Sequence, residues 1–414
     1  MKILWVTNDL KPYTNANSAI VYKISRYLYH KYGIKVVLLG YQSASIVESK
    51  QNEEFTTYYI KEQYNYKKLI PPSLPTYLKI LYLIFHPSCL IRRILRTLTR
   101  YPQCREYQRH IRTVLLKEPD IDCILCVASP YDTICAGVKE HGSIPLISYK
   151  LDPWGSHYLH KNDIRYKKDE DLADSQCAYI LVTPQIYQEY KSLKQPNLLL
   201  HKIRSCEFPN IEKPNGIVEK EAWCSQNMRN CVFVGQLYDD IRSPAFLFNL
   251  FNKLNINQIP VLLHIVGNSK TQKYQSTLSP NVILHGRVSP KKASAYIQHA
   301  DILVNIGNTI PNQMPSKVIE YIASGKPILN ICKIAQCPTL RYLEKYPASL
   351  TIMEAEGIND KTLSKVTDFC MTNKHKDISF EEIKNLYPKC TPEYVGDTIF
   401  HIITSIIKNK RKCG

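Results

Sequence analysis

Residues 301–330 read DILVNIGNTIPNQMPSKVIEYIASGKPILN, and this stretch decides the fold. The apolar run Ile302–Val304 predicts a buried strand, which is followed by a polar loop. A helix is predicted from about Pro315 to Ser324, because Gly325 directly after it and Pro327 shortly beyond are helix stop signals. A second strand is predicted from Pro327 onward. Strands and helices in this alternating order are typical of a parallel α/β sheet.

The start of this helix carries polar groups suited to a nucleotide. Ser316 and Lys317 open the helix, and Glu320 lies one turn further in. A helix N-terminus presents free N–H groups and a partial positive charge, so it suits a phosphate group. A carboxylate one turn in can accept hydrogen bonds from ribose hydroxyls. The layout predicts a nucleoside diphosphate site, with the alternative that Lys317 and Glu320 are only a solvent-facing pair at i and i+3.

The segment PSKVIEYIASGKPI, residues 315–328, resembles the donor-binding signature of retaining glycosyltransferases of family 4, which have the GT-B fold. In that family a Glu-x7-Glu motif spans the loop and the helix. Glu320 matches the second glutamate, which implies that it holds the donor ribose. Asn312 stands where the family has the first glutamate, which usually contacts the donor sugar. We therefore expect Asn312, counted here as a catalytic residue, and Gln313 to touch the sugar.

The resemblance extends to the loop GQLYDDIRSP, residues 235–244, which follows a strand predicted over Cys231–Val234. Family 4 enzymes usually place an arginine directly after the glycine that matches Gly235 and a lysine about six residues later, both on the diphosphate. Gln236 occupies the first position and Arg242 the second. Arginine offers a bidentate fork to phosphate oxygens, so Arg242 is the predicted phosphate ligand and catalytic cation. The alternative is a loop arginine that touches only water.

A third donor contact is predicted where the strand Val282–His285 runs into Gly286. In the family, the residues after this glycine flank the nucleobase, largely through backbone groups. The resemblance therefore implies that Arg287 and Val288 are neighbours of the base.

The first half of the chain shows the same alternation. A strand over Lys2–Thr7, a helix over Ala19–Lys31 and a strand over Lys35–Leu39 predict a second parallel α/β sheet. Ligands of such sheets bind at the carboxyl ends of the strands. The loop after the first strand contains Asn17 and Ser18 where family members often carry a Gly-Gly pair near the donor phosphates. We expect these two side chains to donate hydrogen bonds in an acceptor or phosphate loop.

A carboxylate follows the strand predicted over Pro145–Tyr149, in the sequence KLDPWG. The matching family strand often ends in a His-Asp or Arg-Asp pair followed by an aromatic residue. Asp152 and Trp154 match the aspartate and the aromatic residue, while Leu151 replaces the basic one. Asp152 is therefore expected to orient an acceptor hydroxyl or to help remove its proton. The alternative is an aspartate that starts a turn before Pro153.

The chain is strongly basic, with 54 Lys and Arg against 36 Asp and Glu and a net charge of +18. Such a field favours anionic partners. The apolar run Tyr77–Phe85 precedes a basic amphipathic stretch, which is typical of contact with an anionic membrane. The alternative is a core-packed helix with a solvated basic face. The predicted membrane contacts are Arg92, Arg93, Arg96 and Arg100, and a second basic row consists of Arg105, Arg109 and Arg112.

Composition is that of a soluble globular protein, with 44% hydrophobic and 22% charged residues in a chain of 414. No signal-peptide pattern opens the chain, and no apolar run reaches the roughly 18–20 residues that span a bilayer. The fourteen cysteines are scattered, and Cys123 and Cys126 lie in a strand-like run. We interpret them as buried reduced thiols. These features predict a cytoplasmic protein at the inner face of the cell membrane.

These patterns predict a GT-B architecture of two doubly wound, Rossmann-like α/β domains that face each other across a cleft. Residues 1–205 form the predicted acceptor domain, residues 206–230 a linker and residues 231–390 the donor domain. A helix within residues 391–414 is expected to pack back onto the first domain.

The predicted function is that of a retaining glycosyltransferase. It would move a hexose or related sugar from a UDP- or GDP-linked donor to a glycan or lipid-linked acceptor in surface polysaccharide assembly. No cofactor and no metal are expected, because no Asp-x-Asp site is present and GT-B enzymes typically need no metal. One alternative is a catalytically silent GT-B protein that binds a glycan or a protein partner. Another is a basic nucleic-acid-binding protein, although no nucleic-acid motif accompanies the charge. A sugar-nucleotide epimerase is the third.

Overall fold

The computed structural model describes residues 1–10, 16–42, 54–61, 100–192, 200–213, 223–225, 227–267, 272–372 and 377–413. The chain divides into two compact units. Unit 1 consists of Met1–Cys206 and Gly396–Gly414, and unit 2 consists of Glu207–Val395. Each unit contains one parallel sheet with helices between the strands, so the predicted α/β class is confirmed.

The sheet of unit 1 has seven strands in the order β3-β2-β1-β4-β5-β6-β7. Strands β4 and β5 are buried along their whole length, which explains their continuous apolar sequences. The elements are β1 (Lys2–Asp9), α1 (Ala16–Tyr32), β2 (Lys35–Gln42), β3 (Phe55–Lys61), α2 (Cys104–Lys117), β4 (Cys123–Ala128), α3 (Asp132–Glu140), β5 (Leu146–Lys150), α4 (Ile164–Gln176), β6 (Tyr179–Val182), α5 (Pro184–Ser192) and β7 (Ile203–Ser205).

The sheet of unit 2 has six strands in the order β10-β9-β8-β11-β12-β13. Its core joins apolar side chains of the central strands to the helix that follows β8. The elements are β8 (Arg229–Val234), α6 (Ala245–Ile256), β9 (Val261–Val266), β10 (Val282–Gly286), α7 (Pro290–His299), β11 (Ile302–Ile306), α8 (Lys317–Ala323), β12 (Ile328–Cys332), α9 (Leu340–Leu343), β13 (Ser349–Met353), α10 (Asp360–Met371) and α11 (Phe380–Leu386).

The last helix, α12 (Pro392–Cys413), belongs to unit 1 from Gly396 onward. There it packs against α1: the rings of Tyr32 and Phe400 stack with their centroids 3.6 Å apart, and the Tyr27 hydroxyl donates to Asp397 Oδ1 over 2.7 Å. Gly396 permits this approach, because a Cβ there would lie 2.3 Å from the Tyr27 ring.

Each sheet contains one point where the chain order reverses. In unit 2, β8 leads to β9 on one side, and the chain later returns to place β11 on the other side of β8. In unit 1 the corresponding neighbours are β1 and β4. The two loops that follow such strands run in opposite directions. They leave a crevice between them at the carboxyl edge, where ligands of open α/β sheets bind.

Part of the predicted linker is packed. The side chains of Phe208 and Ile211 are buried, and the Ile211 amide donates to the Cys390 carbonyl within unit 2 over 2.9 Å. Glu207 accepts a hydrogen bond from Arg341 Nη2 over 3.0 Å. Residues 214–222 lie outside the described part of the chain.

Candidate active site

The crevice of unit 2 lies between two loops, residues 235–244 after β8 and residues 307–316 after β11. Both loops were predicted to bind the donor, and a hydrogen bond from the Thr309 amide to the Ile241 carbonyl joins them over 3.0 Å. The first loop is closed by paired backbone hydrogen bonds between Tyr238 and Arg242. The structure therefore brings the two predicted segments together at the chain reversal.

Arg242 is the central cation of this crevice. Its Nε and Nη2 atoms donate to Asn308 Oδ1 over 3.0 and 2.8 Å, and its Nη1 donates to the Gln236 carbonyl over 3.3 Å. Each of these acceptors is a neutral amide oxygen, and among the described residues no carboxylate pairs with the guanidinium. Burial lowers the pKa of Arg242 below its usual value. A partly buried cation without a counter-ion favours contact with an anion, because charge-assisted hydrogen bonds are the stronger ones.

Lys317 and Glu320 form an ion pair across the first turn of α8, at i and i+3. Their side chains are 38% and 33% exposed, so both remain open to a ligand. This geometry fits the alternative that Lys317 and Glu320 are only a surface pair. It is also compatible with ligand binding, because a phosphate can replace Glu320 beside Lys317 and a ribose can replace Lys317 beside Glu320. Ser316 precedes α8, and its hydroxyl makes no capping hydrogen bond to the helix.

The remaining donor-loop residues differ in how accessible they are. Asn312 and Gln313 are partly buried in the loop that leads to α8, whereas Gln236 is exposed at the start of the Arg242 loop. Gly235 follows β8 and donates its amide to the Val266 carbonyl over 2.9 Å. After β10, Arg287 is exposed and Val288 is half-buried. Their predicted contacts with the sugar and the base stay predictions.

In unit 1 the predicted acceptor-loop residues lie at the chain reversal beside β4. Asn17 Nδ2 donates to the Ser129 carbonyl over 3.1 Å, so this amide holds the loop after β4. Ser18 is fully buried in α1, which keeps its hydroxyl away from an open surface. Asp152 follows β5 at its carboxyl end and is partly exposed, as a group that orients an acceptor must be.

A buried ionic cluster next to Asp152 was not predicted from the sequence. Lys150, the last residue of β5, is fully buried, and its Nζ donates to Glu170 Oε1 over 2.9 Å and to Asp174 Oδ2 over 2.8 Å. Tyr190 donates to Glu170 over 3.0 Å. Lys150 is visible in the sequence as a lysine that ends an apolar strand, but its partners on α4 are twenty or more residues away.

This ionic cluster borders a small surface pocket in unit 1. Trp154, Lys167, Glu170, Glu189 and Tyr190 are among the residues that line it. Ser156 Oγ donates to Glu189 Oε2 over 2.9 Å on the same lining. The surface that follows Asp152 is thus polar and carries both charge signs.

The predicted membrane contacts divide into two groups. Arg92, Arg93 and Arg96 lie outside the described residues. Arg100 is described, and its Nε and Nη2 atoms bind the two carboxylate oxygens of Asp169 over 2.8 and 3.2 Å. Because this ion pair occupies its guanidinium, Arg100 is less available to bind an anionic surface than its sequence position implies.

The second basic row lies on a helix that packs in the core, which is the alternative to membrane contact that the sequence left open. Helix α2 buries Tyr107, Ile111 and Val114, while Arg105, Arg109 and Arg112 are exposed. Arg112 pairs with Glu140 over 2.9 Å. The helix therefore packs in the core with a solvated basic face. No helix among the described residues is long and apolar enough to cross a bilayer.

Residues 228–337 match the family model described as glycosyl transferases group 1. This segment contains Arg242, Asn308 and Glu320. The match confirms the predicted resemblance and the prediction of a glycosyltransferase. No curated protein matches the chain by sequence.

Solved structures that resemble this chain are GT-B proteins. Anabaena HepE in complex with UDP and glucose has a TM-score of 0.61 at 12% identity, covering 98% of this chain and 100% of that one. WaaG, a glycosyltransferase involved in lipopolysaccharide biosynthesis, has a TM-score of 0.58 at 13% identity, covering 97% and 99%. A Listeria monocytogenes protein described as a UDP-N-acetylglucosamine 2-epimerase has a TM-score of 0.60 at 10% identity, covering 99% and 97%. At such identities the likeness establishes the fold, and the predicted GT-B fold with two Rossmann-like domains is confirmed.

Proposed function

We propose that this chain, a GT-B protein with a group 1 glycosyltransferase domain, transfers a sugar from a nucleoside diphosphate donor to a glycan or lipid-linked acceptor. The observation that carries the proposal is the guanidinium of Arg242 at the carboxyl edge of β8, whose hydrogen-bond acceptors within the described part of the chain are all neutral. A diphosphate supplies the missing negative charge, and the charge on the leaving group increases as the glycosidic bond breaks. A cation held there stabilises the transition state more than the bound donor.

The other groups have assigned roles in the same proposal. Lys317 assists Arg242 at the diphosphate, and Glu320 accepts hydrogen bonds from the ribose once donor binding has separated the Lys317–Glu320 pair. Asn312 and Gln313 contact the sugar. Arg287 and Val288 flank the base. In unit 1, Asp152 orients the acceptor hydroxyl.

We further propose that the anomeric configuration is retained, that the donor is UDP- or GDP-linked, and that no metal is required. The support is the match of Glu320 and Arg242 to family positions, together with the complexes of HepE with UDP and glucose and with UDP-glucose. WaaG, involved in lipopolysaccharide biosynthesis, supports a surface polysaccharide as the product. The net charge of +18 supports an acceptor at an anionic membrane face.

The first experiment is a thermal-shift screen against UDP, GDP, ADP and their common sugar conjugates. A ligand that binds only the folded state stabilises it, so a rise of several degrees with one nucleotide family identifies the base. Transfer to a glycan acceptor is then measured by release of the free nucleotide, and NMR of the product reports the anomeric configuration. An inverted product would overturn retention alone.

Arg242→Ala and Glu320→Ala test the site. Each is expected to lower kcat/KM for the donor by about a hundredfold or more, the loss typical of removing one transition-state hydrogen-bond donor or a substrate anchor. Arg229→Ala is the matched control, because it removes the same charge from the opposite end of β8, where Arg229 lies 3.7 Å from Asp301. Unchanged turnover in both site variants would sink the proposal.

The same assays separate the rival functions. Nucleotide binding without sugar transfer indicates a silent GT-B protein. Conversion of one sugar nucleotide into its epimer without lasting release of nucleotide indicates an epimerase. Binding to generic DNA or RNA that weakens steeply with salt, without any nucleotide response, indicates a nucleic-acid-binding protein.

A further inference from the structure

We propose that Asn308 is the positioning residue of the donor site: its side-chain amide fixes the Arg242 guanidinium for the diphosphate and leaves its charge uncancelled. This inference rests on the proposed function. Asn308 lies 66 positions after Arg242, and nothing in the sequence alone assigns it a role.

The guanidinium is held at three of its N–H groups. Asn308 Oδ1 accepts from Nε and Nη2 over 3.0 and 2.8 Å, and the Gln236 carbonyl accepts from Nη1 over 3.3 Å. An arginine side chain carries five N–H groups, so within the described residues one on Nη1 and one on Nη2 remain for a ligand. Two such donors on neighbouring nitrogens match two oxygens of a phosphate group.

The other half of the Asn308 amide is also fixed. Its Nδ2 donates to the Gln313 carbonyl over 2.8 Å, and Asn308 is only 2% exposed. Because both ends of the amide are bonded, its orientation is determined, and so is that of Arg242. One buried side chain therefore links the phosphate-binding cation to the loop that carries Asn312 and Gln313.

The neutrality of Asn308 is what gives it this role. An aspartate at the same position would lose the hydrogen bond to the Gln313 carbonyl, but it would hold Arg242 as an ion pair and compete with the donor for the positive charge. Asparagine orients the cation without supplying a counter-ion. In a purely structural role the new ion pair would offset the lost bond, because it still joins Arg242 to the loop after β11.

The test compares Asn308→Asp and Asn308→Ala with the wild type by calorimetric titration with UDP and with GDP, and by donor kinetics. Asn308→Asp is expected to keep the melting temperature within a few degrees and yet to weaken nucleoside diphosphate binding at least about tenfold, the effect of losing one charge-assisted hydrogen bond. The KM for the donor should rise more than kcat falls. Asn308→Ala should weaken binding as well, because Arg242 is no longer oriented.

Asn305→Ala is the matched control. Asn305 is an equally buried asparagine on β11, 3% exposed, and its Nδ2 donates to Asn330 Oδ1 over 2.7 Å. Its replacement should lower stability and leave nucleotide affinity within about twofold.

The outcomes are separable. Binding that is lost in Arg242→Ala but unchanged in Asn308→Asp overturns the role of Asn308 and leaves the proposed function standing. The role is equally overturned if affinity and melting temperature fall in parallel in all three asparagine variants. If the wild-type protein binds neither UDP nor GDP, the proposed donor site fails and this inference fails with it.

Discussion

Gly267 faces Gly235 so closely that a Cβ on Gly267 would lie 1.9 Å from the Gly235 carbonyl oxygen. The two glycines end the neighbouring strands β9 and β8, and Gly235 opens the loop that carries Arg242. Gly267 also has a φ of +137°, a conformation that other residues rarely adopt. Close contact between the two strand ends therefore sets the position of the Arg242 loop.

We expect Gly267→Ala to lower the free energy of unfolding by more than about 2 kcal/mol, because a backbone clash adds to the conformational strain. Donor affinity should fall as well, since the Gly235–Arg242 loop must move. The control is Gly357→Ala: Gly357 has a φ of +69° but nothing within 4 Å of its added Cβ. It should cost only the strain, about 1 kcal/mol. If urea denaturation gave the same loss in free energy of unfolding for both variants, the structure would have relieved the clash by moving.

Lys317→Met should separate stability from function. The Lys317–Glu320 pair is substantially exposed, so its loss should change the free energy of unfolding by less than about 0.5 kcal/mol. The KM for the nucleotide sugar should nevertheless rise about tenfold or more, because a phosphate-binding cation is gone. Steady-state kinetics and thermal unfolding measure the two quantities. A KM equal to that of the wild type would mean that the pair is only a surface ion pair.

Lys150→Met should be among the most destabilising substitutions in unit 1. It leaves Glu170 and Asp174 as buried carboxylates without their cation, a loss of about 3–5 kcal/mol at neutral pH. Lys167→Met is the comparison, because Lys167 reaches the same Glu170 from the surface: it is 27% exposed, lies 3.4 Å from Glu170 Oε2 and pairs with Asp171 over 3.0 Å. It should cost less than about 1 kcal/mol. Denaturant titration of both variants gives the comparison.

In Lys150→Met, the contribution of Glu170 to the pH dependence of the free energy of unfolding should reverse its sign. Burial raises the pKa of Glu170, but Lys150 and the other donors more than offset it and leave the pKa at about 2, below the ordinary 4.5. This carboxylate therefore stabilises wild-type protein above about pH 4.5, and the contribution is lost as the pH falls toward 2. Without Lys150, burial favours the protonated acids, so the variant should gain stability relative to wild type between pH 7 and pH 5. A constant difference across this range would contradict the assignment.

His264 should remain neutral well into the acid range. It is fully buried on β9, with Nδ1 3.0 Å from His285 Nε2 and Nε2 3.3 Å from Asn230 Oδ1, and Tyr296 bonds His285 Nδ1 over 2.8 Å. Burial, followed by the neighbouring His285, lowers the pKa of His264 to about 4. One neutral pattern satisfies every bond: the Tyr296 hydroxyl donates to His285, His285 Nε2–H to His264, and His264 Nε2–H to Asn230.

The pH effect of His264 follows from that pattern. The stability it contributes is complete above its ordinary pKa of 6.5 and is lost as the pH falls from there toward 4. Nitrogen NMR should find both histidines protonated at Nε2 at pH 7. His264→Gln should flatten the fall in stability between pH 6.5 and 4, whereas His201→Gln, at an exposed residue, should not. A charged His264 at pH 6 would refute the neutral chain.

The order of strands and helices could be predicted because it depends on local pattern. The strands predicted over Cys231–Val234 and Val282–His285 are present as β8 and β10, and these strands and α8 differ from prediction by one or two residues at their ends. Strands β3, β7 and β13 were not predicted. All three are edge strands that pair on one side only, β3 with β2, β7 with β6 and β13 with β12, so their strand character depends on a neighbouring strand.

Site residues could be predicted by position but not by partner. The resemblance placed Arg242 on the loop after β8 and Glu320 in the helix that became α8, and the structure joins Arg242 through Asn308 to the loop that precedes this helix. It also placed Ser18 in a ligand loop, whereas Ser18 is buried in α1. Side-chain direction at the first turn of a helix depends on how that helix lies on the sheet, which a loop sequence does not specify.

Local patterns in the sequence specify two parallel α/β sheets and the loops at their carboxyl edges, because apolar periodicity and Gly and Pro signals act over a few residues. The resemblance to family 4 adds the prediction that residues 301–330 bind the donor. Long-range packing, by contrast, gives Arg242 its neutral partners and buries Lys150 between two carboxylates. Those contacts join residues 20 to 66 positions apart, and the energy of a buried charge depends on everything packed around it rather than on its neighbours in the chain.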